Sequence, residues 1–515
     1  MFDWLKKTKG HKKDSSGQKP LPNPGSGGFL STELDENIKR IDKLFDRVDT
    51  MLSRRFQNAM SSDADFCIYF NDGVTDSDIV NEHLIKPLSG FEHFKSGDIF
   101  EQVKSQVIQI NDAQETDDIE KIIEAITYGD TLLLVDGSDK ALLLSSKAFT
   151  LRGIAEPEGE KVLSGPREGF TEGIMLNLSM IRRRLRTNEL KLEFTTLGRR
   201  SKTAVCVAYM DDIVNKKILK ELQRRLAQID IDCVLDSNYL VEHIAEKSFL
   251  GLNTTGSTER PDVVTAKLME GRIAIFVDGS PSVLTVPYLM IENFQSNEDY
   301  YMNPIYATYG RILRIFCFLM AGLIPGAFIA VVGYHHELLP SPLMLSFAGN
   351  RHNVPLPASL ECFIMLIVFD ILRETGVRMP GHLGSALSIV GALVIGQSAV
   401  EAKLVAAPMV IVVALSGITI LLVPRLTTTG LIIRYLCLAL CSALGFAGLI
   451  IGGALLFIHA LNLRSFGVPS FLPTEALAYQ DVKDTFFRAP WPKMITRMLP
   501  LTHNRIRAKP GDNQG

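Results

Sequence analysis

The chain has 515 residues, 54 basic and 57 acidic side chains, and a formal net charge of −3. That length holds two or three domains, and the balanced charge excludes a bulk nucleic-acid-binding signature. Its seven cysteines are scattered and form no Cys-x-x-Cys pair. This points to reduced, buried thiols in a cytoplasm-facing protein and excludes a disulfide frame or zinc ribbon.

Met1–Lys13 is basic, through Lys6, Lys7, Lys9, Lys12 and Lys13, and lacks the apolar core of a signal peptide. Trp4 and Leu5 beside these lysines suit a solvated tail or a brush against an anionic membrane. Asp14–Gly28, rich in Gly, Pro, Ser and Lys, reads as a linker. Residues 1–30 are therefore expected to be a disordered basic leader. With no export signal, the region that follows is expected in the cytoplasm.

Next comes an internal duplication. Asp78-Ile79-Val80-Asn81 recurs as Asp212-Ile213-Val214-Asn215, each after an apolar strand pattern, Phe66–Phe70 and Val205–Tyr209. Downstream, the Gly129–Ser138 segment recurs as Gly271–Ser280. Each of these is a strand followed by Asp-Gly and a second strand, Ala141–Leu144 or Val283–Val286, the signature of a β-hairpin. Two related α/β units result, with repeat cores at about 60–150 and 200–292. As domains they occupy 31–150 and 201–300, with 151–200 as a linker. Asp136 and Asp278 are read as turn residues, because Asp-Gly supplies the positive φ that a tight turn needs. The linker carries Arg182-Arg183-Arg184-Leu185-Arg186, a solvated helix face or a surface for acidic groups.

No phosphate-binding Gly-rich loop, His-Glu-x-x-His or Gly-x-Ser-x-Gly motif occurs. A non-enzymatic protein with no cofactor and no metal is expected. His335-His336-Glu337 reads as polar interface residues.

Beyond Arg314 charge nearly disappears. Ile315–Gly333, Leu383–Val400, Leu404–Pro424 and Tyr435–Leu463 contain no Asp, Glu, Lys or Arg. Roughly 20 apolar residues cross a bilayer, so 311–465 reads as a transmembrane domain of about four spans. Pro325 is expected to kink the first span. Leu356–Gly376, bracketed by Glu361 and Asp370, reads as an interfacial or re-entrant helix beside a water-filled space, or otherwise as a fifth span; Glu361 is a pore-lining candidate. Gly384, Ser388, Ala392 and Gly396 recur every four residues as a helix-packing stripe. Val390, Val394, Gln397 and Glu401 fall on nearly the opposite face and are read as pore-lining candidates, the alternative being ordinary polarity at a helix end. Arg425 and Arg434 fall in an external loop, and 466–515 is a basic cytoplasmic tail. Both ends are expected on the cytoplasmic side.

Several stretches resemble the A subunit of bacterial spore germinant receptors, the GerA family. They are Phe29–Ile38, Gly165–Glu172, Arg260–Val264 with the following hairpin, and above all Leu356–Leu415. The last contains Glu374-Thr-Gly-Val-Arg378-Met-Pro380 and Ser388–Gln397. The resemblance implies an α/β cytoplasmic region of two related subdomains followed by an all-α transmembrane domain, in the spore inner membrane. It implies a partner B subunit resembling amino-acid transporters, taken to bind the nutrient, and a C-subunit lipoprotein. It further implies a homo-oligomeric ring that passes monovalent cations when nutrient is sensed. The alternatives are a non-conducting scaffold subunit and a paralogue serving the dipicolinic-acid release machinery.

Overall fold

The computed structural model describes residues 28–471 apart from 47, 49, 60–63, 73, 92–93, 95–98, 109, 111–112, 148–152, 353 and 379–393, and then 484–497, 501–502, 504 and 506–507. It forms two compact units, residues 1–150 and 151–515.

In the first unit the order is α1 (Leu34–Leu44), β1 (Met51–Gln57), β2 (Asp65–Asn71), helical turns over 77–90 and 99–107, β3 (Ala113–Thr116), α2 (Ile119–Thr127), β4 (Thr131–Val135) and β5 (Ala141–Leu144). The second unit begins with the same series. It runs α3 (Ile174–Arg184), β6 (Leu190–Leu197), β7 (Thr203–Met210), α4 (Lys216–Leu226), α5 (Ser237–Ile244), β8 (Gly256–Thr258), α6 (Pro261–Met269), β9 (Ile273–Val277) and β10 (Val283–Val286). The sheets have equivalent orders, β1-β2-β4-β5-β3 and β6-β7-β9-β10-β8. Neighbouring strands are antiparallel throughout.

Central strands such as Thr131–Val135 and Ile273–Val277 are buried along their whole length. Both faces of each sheet therefore carry helices. In the second copy Leu222, Leu240 and Ile244 cover one face, and Ile174, Ile181, Val264 and Leu268 the other. Each such side chain contributes about 1.5–3 kcal/mol on burial.

The Asp-Gly pairs do more than turn the chain. Gly137 and Gly279 adopt φ of 79° and 82°. The preceding carboxylates accept the first backbone N–H of the opening helix, Leu34 N to Asp136 Oδ1 and Ile174 N to Asp278 Oδ1, both at 3.2 Å. Asn37 and Asn177 repeat as well. Each side chain closes a loop through the backbone N–H and C=O of the residue six positions earlier, Ser31 or Thr171. The linker reading of 151–200 therefore fails over 174–197, which supplies the opening helix and edge strand of the second copy. Three arginines in the last turn of α3, placed where the helix dipole favours cations, obscured its apolar face.

The rest of the second unit is helical: α7 (Pro304–Gly333), α8 (Ser341–Arg351), α9 (Ala358–Arg378), residues 394–401, α10 (Ala407–Leu421), α11 (Thr427–Leu444) and α12 (Phe446–Asn462). Pro304–Gly333 and the stretch Pro424–Leu444 are long and apolar enough to cross a membrane, while α10 and α12 are apolar and shorter. The bundle end beside the second α/β copy is sealed by Leu250, Leu252, Phe318, Val423, Leu426 and Leu463. At the distal end the Tyr334 hydroxyl donates to the Ser442 carbonyl at 2.5 Å. Pro325 lies inside α7 without ending it. Gly326 faces α11 so closely that a Cβ there would lie 3.0 Å from Cys441 Sγ.

Four sequence readings change here. Tyr435–Leu463 is two helices, because Gly445 (φ 57°, ψ −135°) reverses the chain. Arg434 lies inside α11 and not in a loop. Arg425 does lie in a loop, but that loop rests on the second α/β copy: Arg425 pairs with Glu160 at 2.8 Å, and Asn253 Nδ2 donates to the Arg425 carbonyl. From Ala358 onward, Leu356–Gly376 falls in one unbroken 21-residue helix, about 32 Å long, in which one oxygen each of Glu361 and Asp370 is bonded from outside the helix.

Residues 466–515 are also not a free tail where they are described. Val468 pairs with Ser465, Thr502 bridges to Val214, and Arg497 donates to the Met269 carbonyl at 2.6 Å.

Candidate functional site

Two arrangements of polar groups stand out in the second unit, one inside the helical bundle and one at its junction with the α/β copy.

Inside the bundle, Arg434 of α11 is 0% exposed and meets Asp370 Oδ2 of α9 at 2.5 Å. The Tyr435 hydroxyl donates to the same oxygen at 2.6 Å. One α9 turn further on, Arg373 stands 3.9 Å from Asp370 Oδ1. Nearer the N-terminus of α9, Glu361 is also 0% exposed; its Oε1 accepts from Ala406 N at 2.6 Å, and Arg351 lies 3.6 Å from Oε2. A carboxylate at the start of α10 satisfies an orphan N–H and faces the positive end of the helix dipole. Glu361, read from sequence as a pore-lining candidate, thus packs between the helices of this chain.

The remaining candidates divide. Val390, Gly384, Ser388 and Ala392 lie outside the described residues. Val394, Gln397 and Glu401 are exposed on one face of the helix over 394–401, with Val394 54% exposed. Gln397 Nε2 donates to Glu401 Oε1 at 2.9 Å, one helical turn away. Gly396 is turned toward α10, where an added Cβ would lie 3.7 Å from Val410 Cγ1.

At the junction, Arg311 in the first turns of α7 holds Asp299 at 2.9 Å and Asp484 at 2.8 Å. Arg314 holds Asp299 at 2.5 Å, and the Tyr300 hydroxyl donates to Asp484 at 2.7 Å. The start of the bundle is thus tied to the loop after β10 and to the C-terminal segment. A few residues away, Glu292 binds Lys267 at 2.6 Å and Arg272 at 2.8 Å. Burial pushes Lys267 down to about 8 against the attraction of Glu292. Burial works to raise Glu292, yet Arg272 and Lys267 hold it below the usual carboxylate range. Lys267, Arg272, Glu292, Tyr300 and Asp484 border a cavity of about 270 Å³ whose walls also include Trp491 and Met494. Among the described residues, no group of three or more His, Cys, Asp or Glu side chains is placed to hold a metal ion.

The sequence analysis missed the Asp370–Arg434 pair and the junction arginines as partners. The available signal was rarity: isolated charges in otherwise apolar helices need a countercharge. What sequence could not supply was the pairing across 64 residues.

Known proteins resemble this chain along most of its length. A family profile described as Bacillus/Clostridium GerA spore germination protein matches residues 39–499. Spore germination protein KA of Bacillus subtilis (strain 168) is 37% identical over 465 residues, covering 90% of this chain and 86% of that protein. The uncharacterized membrane protein YfkQ of the same organism is 36% identical over 487 residues, covering 94% and 93%. Spore germination protein GerLA of Bacillus cereus is 35% identical over 425 residues, covering 82% and 86%. Among solved structures, the N-terminal domain of the A subunit of the Bacillus megaterium spore germinant receptor GerK3 matches at 29% identity. That match covers 51% of this chain and 98% of that one, with a TM-score of 0.20. The profile match enters the first α/β unit and continues through the second copy and the whole helical bundle, so the chain belongs to the GerA family of spore germination proteins.

Proposed function

We propose that the chain is the membrane-embedded A subunit of a nutrient-germinant receptor and that it forms or gates a path for monovalent cations. The reading places it in the spore inner membrane with both α/β copies in the cytoplasm. Its partners are further copies of itself, a B subunit resembling amino-acid transporters, and a C-subunit lipoprotein.

Chain path supports the membrane placement. The start of α7 and the end of α12 both lie beside the second α/β copy, where Arg311 holds Asp299 and His459 meets Ser248, so the described bundle begins and ends on one side.

The observation that carries the conduction reading is the exposed face of Val394, Gln397 and Glu401. A carboxylate and an amide facing hydrocarbon are expensive, whereas around a shared aqueous axis they attract cations. The valine above them narrows that axis with an apolar ring. Nutrient bound by the partner favours the open arrangement through differential affinity for the two states. The Arg311 and Arg314 ion pairs couple α7 to the α/β copy, so a shift there reaches the bundle.

Purified chain in potassium-loaded liposomes tests this. Val394→Ala widens and wets the ring and should raise basal efflux. Glu401→Gln should lower flux, most visibly at low salt, where surface charge is least screened. Efflux indistinguishable from empty liposomes for both variants and the parent would favour the non-conducting scaffold.

A further inference from the structure

A second cleft, of about 510 Å³, lies where the α/β copy meets the end of α12. It is bordered by Glu221 and Arg225 of α4, Glu246 and Lys247 of the following loop, and His459 and Arg464 around the end of α12. Its charges are unequally used. Arg225 binds both acids, Glu221 at 2.8 Å and Glu246 at 2.7 Å, and lies over the Phe466 ring with its guanidinium carbon 4.5 Å from the centroid. Among the described residues, Lys247 and Arg464 have no carboxylate partner, and both are exposed. Arg224 also binds Glu221, at 2.7 Å, so two acids meet two arginines and the cleft presents Lys247 and Arg464 beside a neutralised wall.

Position decides what those cations meet. The loop that carries Lys247 is seated on the bundle end: Ser248 Oγ is 3.1 Å from His459 Nε2, and Thr429 Oγ1 donates to the Gly251 carbonyl at 3.0 Å. Leu250 and Leu252 are buried in that seat, yet Phe249 just before them is 82% exposed. Ile458 and Leu461 on the last turns of α12 are exposed as well. An aromatic ring beside apolar helix ends, next to unpaired Lys and Arg, is the composition of a membrane interface.

We propose that this cleft holds the phosphodiester of an anionic phospholipid. Lys247 and Arg464 take the phosphate, Asn462 and His459 offer hydrogen bonds to the headgroup, and Phe249 lies among the acyl chains. The site rests on the membrane reading of the bundle. It adds a lipid contact that fixes the second α/β copy against the bilayer surface.

The test uses the full chain in neutral detergent and measures phospholipid retained after purification, by native mass spectrometry. Phosphatidylglycerol should be retained over phosphatidylcholine. Lys247→Gln with Arg464→Gln should weaken retention about 30-fold, taking the attraction of each cation to an anionic surface at its ordinary strength. Lys247→Arg with Arg464→Lys should restore it. Phe249→Ser, an exposed change that leaves the fold intact, should also reduce it. Equal retention of the two lipids, or undiminished phosphatidylglycerol on the double Gln variant, overturns the proposal. Displacement of the lipid by equimolar glycerol phosphate or inorganic phosphate also overturns it, by making the site one for a free phosphate. The membrane reading fails separately, if alkaline carbonate releases the chain from membranes.

Discussion

Replacing Asp370 by Asn is the sharpest perturbation of the helical bundle. The substitution keeps shape and removes one charge. Arg434 then stays fully buried without a countercharge, and its Nε and Nη1 already lack partners. The Tyr435 hydroxyl, 2.6 Å from Asp370, can donate to the amide oxygen but cannot neutralise a guanidinium. Stranding one member of a buried pair costs roughly 3–5 kcal/mol. Replacing both members by apolar residues of similar volume, Asp370→Leu with Arg434→Met, removes that penalty and is often close to neutral. The single variant should therefore unfold at a much lower denaturant concentration in detergent, while the double variant returns most of the way to the parent. Arg434→Met alone should also be destabilised, by stranding Asp370. An Asp370→Asn midpoint equal to that of the parent would refute the reasoning, as would a double variant less stable than either single one.

Other expectations follow from the junction and the turns. Lys267 has its folded value pushed down to about 8. Below that pH both folded and unfolded chains carry the proton and the unfavourable charge burial is complete. Between about 8 and the ordinary lysine value of ~10.4 the folded form releases its proton first, so stability rises with pH. Chemical denaturation at pH 7 and 9 should show this rise in the parent and lose it in Lys267→Met; a fall with pH in that window would contradict the assignment. Gly445→Ala forces a Cβ to 2.9 Å from Tyr334 Cγ in a backbone conformation foreign to L-residues, and should destabilise the α11–α12 reversal by about 1–3 kcal/mol. Asp278→Ala removes the acceptor for Ile174 N and should cost about 1 kcal/mol, most of it recovered by Asp278→Asn; hydrogen exchange at the start of α3 reads this directly.

The duplicated α/β architecture was legible because hairpins announce themselves locally. Short apolar runs on either side of Asp136-Gly137 and Asp278-Gly279 marked both strands and their turns, and the recurring order made two copies plain. The opening helix of the second copy was hidden because the Arg182–Arg184 run reads as solvent-facing, although Asn177 repeats Asn37 and was there to be found. Apolar content alone misjudged the bundle. Gly445 is one residue in an uncharged run, and its reversal depends on φ and ψ that composition does not report. Asp370 and Glu361 made α9 look too polar to lie inside a bundle. Their partners, Arg434 and the Ala406 N–H, come from α11 and the start of α10, and only the assembled helices bring them together.

The face carrying Val394, Gln397 and Glu401 bears the central claim. Val394→Cys in an otherwise cysteine-free full-length chain, reconstituted in potassium-loaded liposomes with its receptor partners, tests it most directly. Methanethiosulfonate reagents applied during nutrient-evoked efflux should modify the new thiol and block potassium flow, while Gly396→Cys, turned toward Val410, stays unaffected. Efflux that continues unchanged with Val394→Cys fully modified would place the cation path elsewhere.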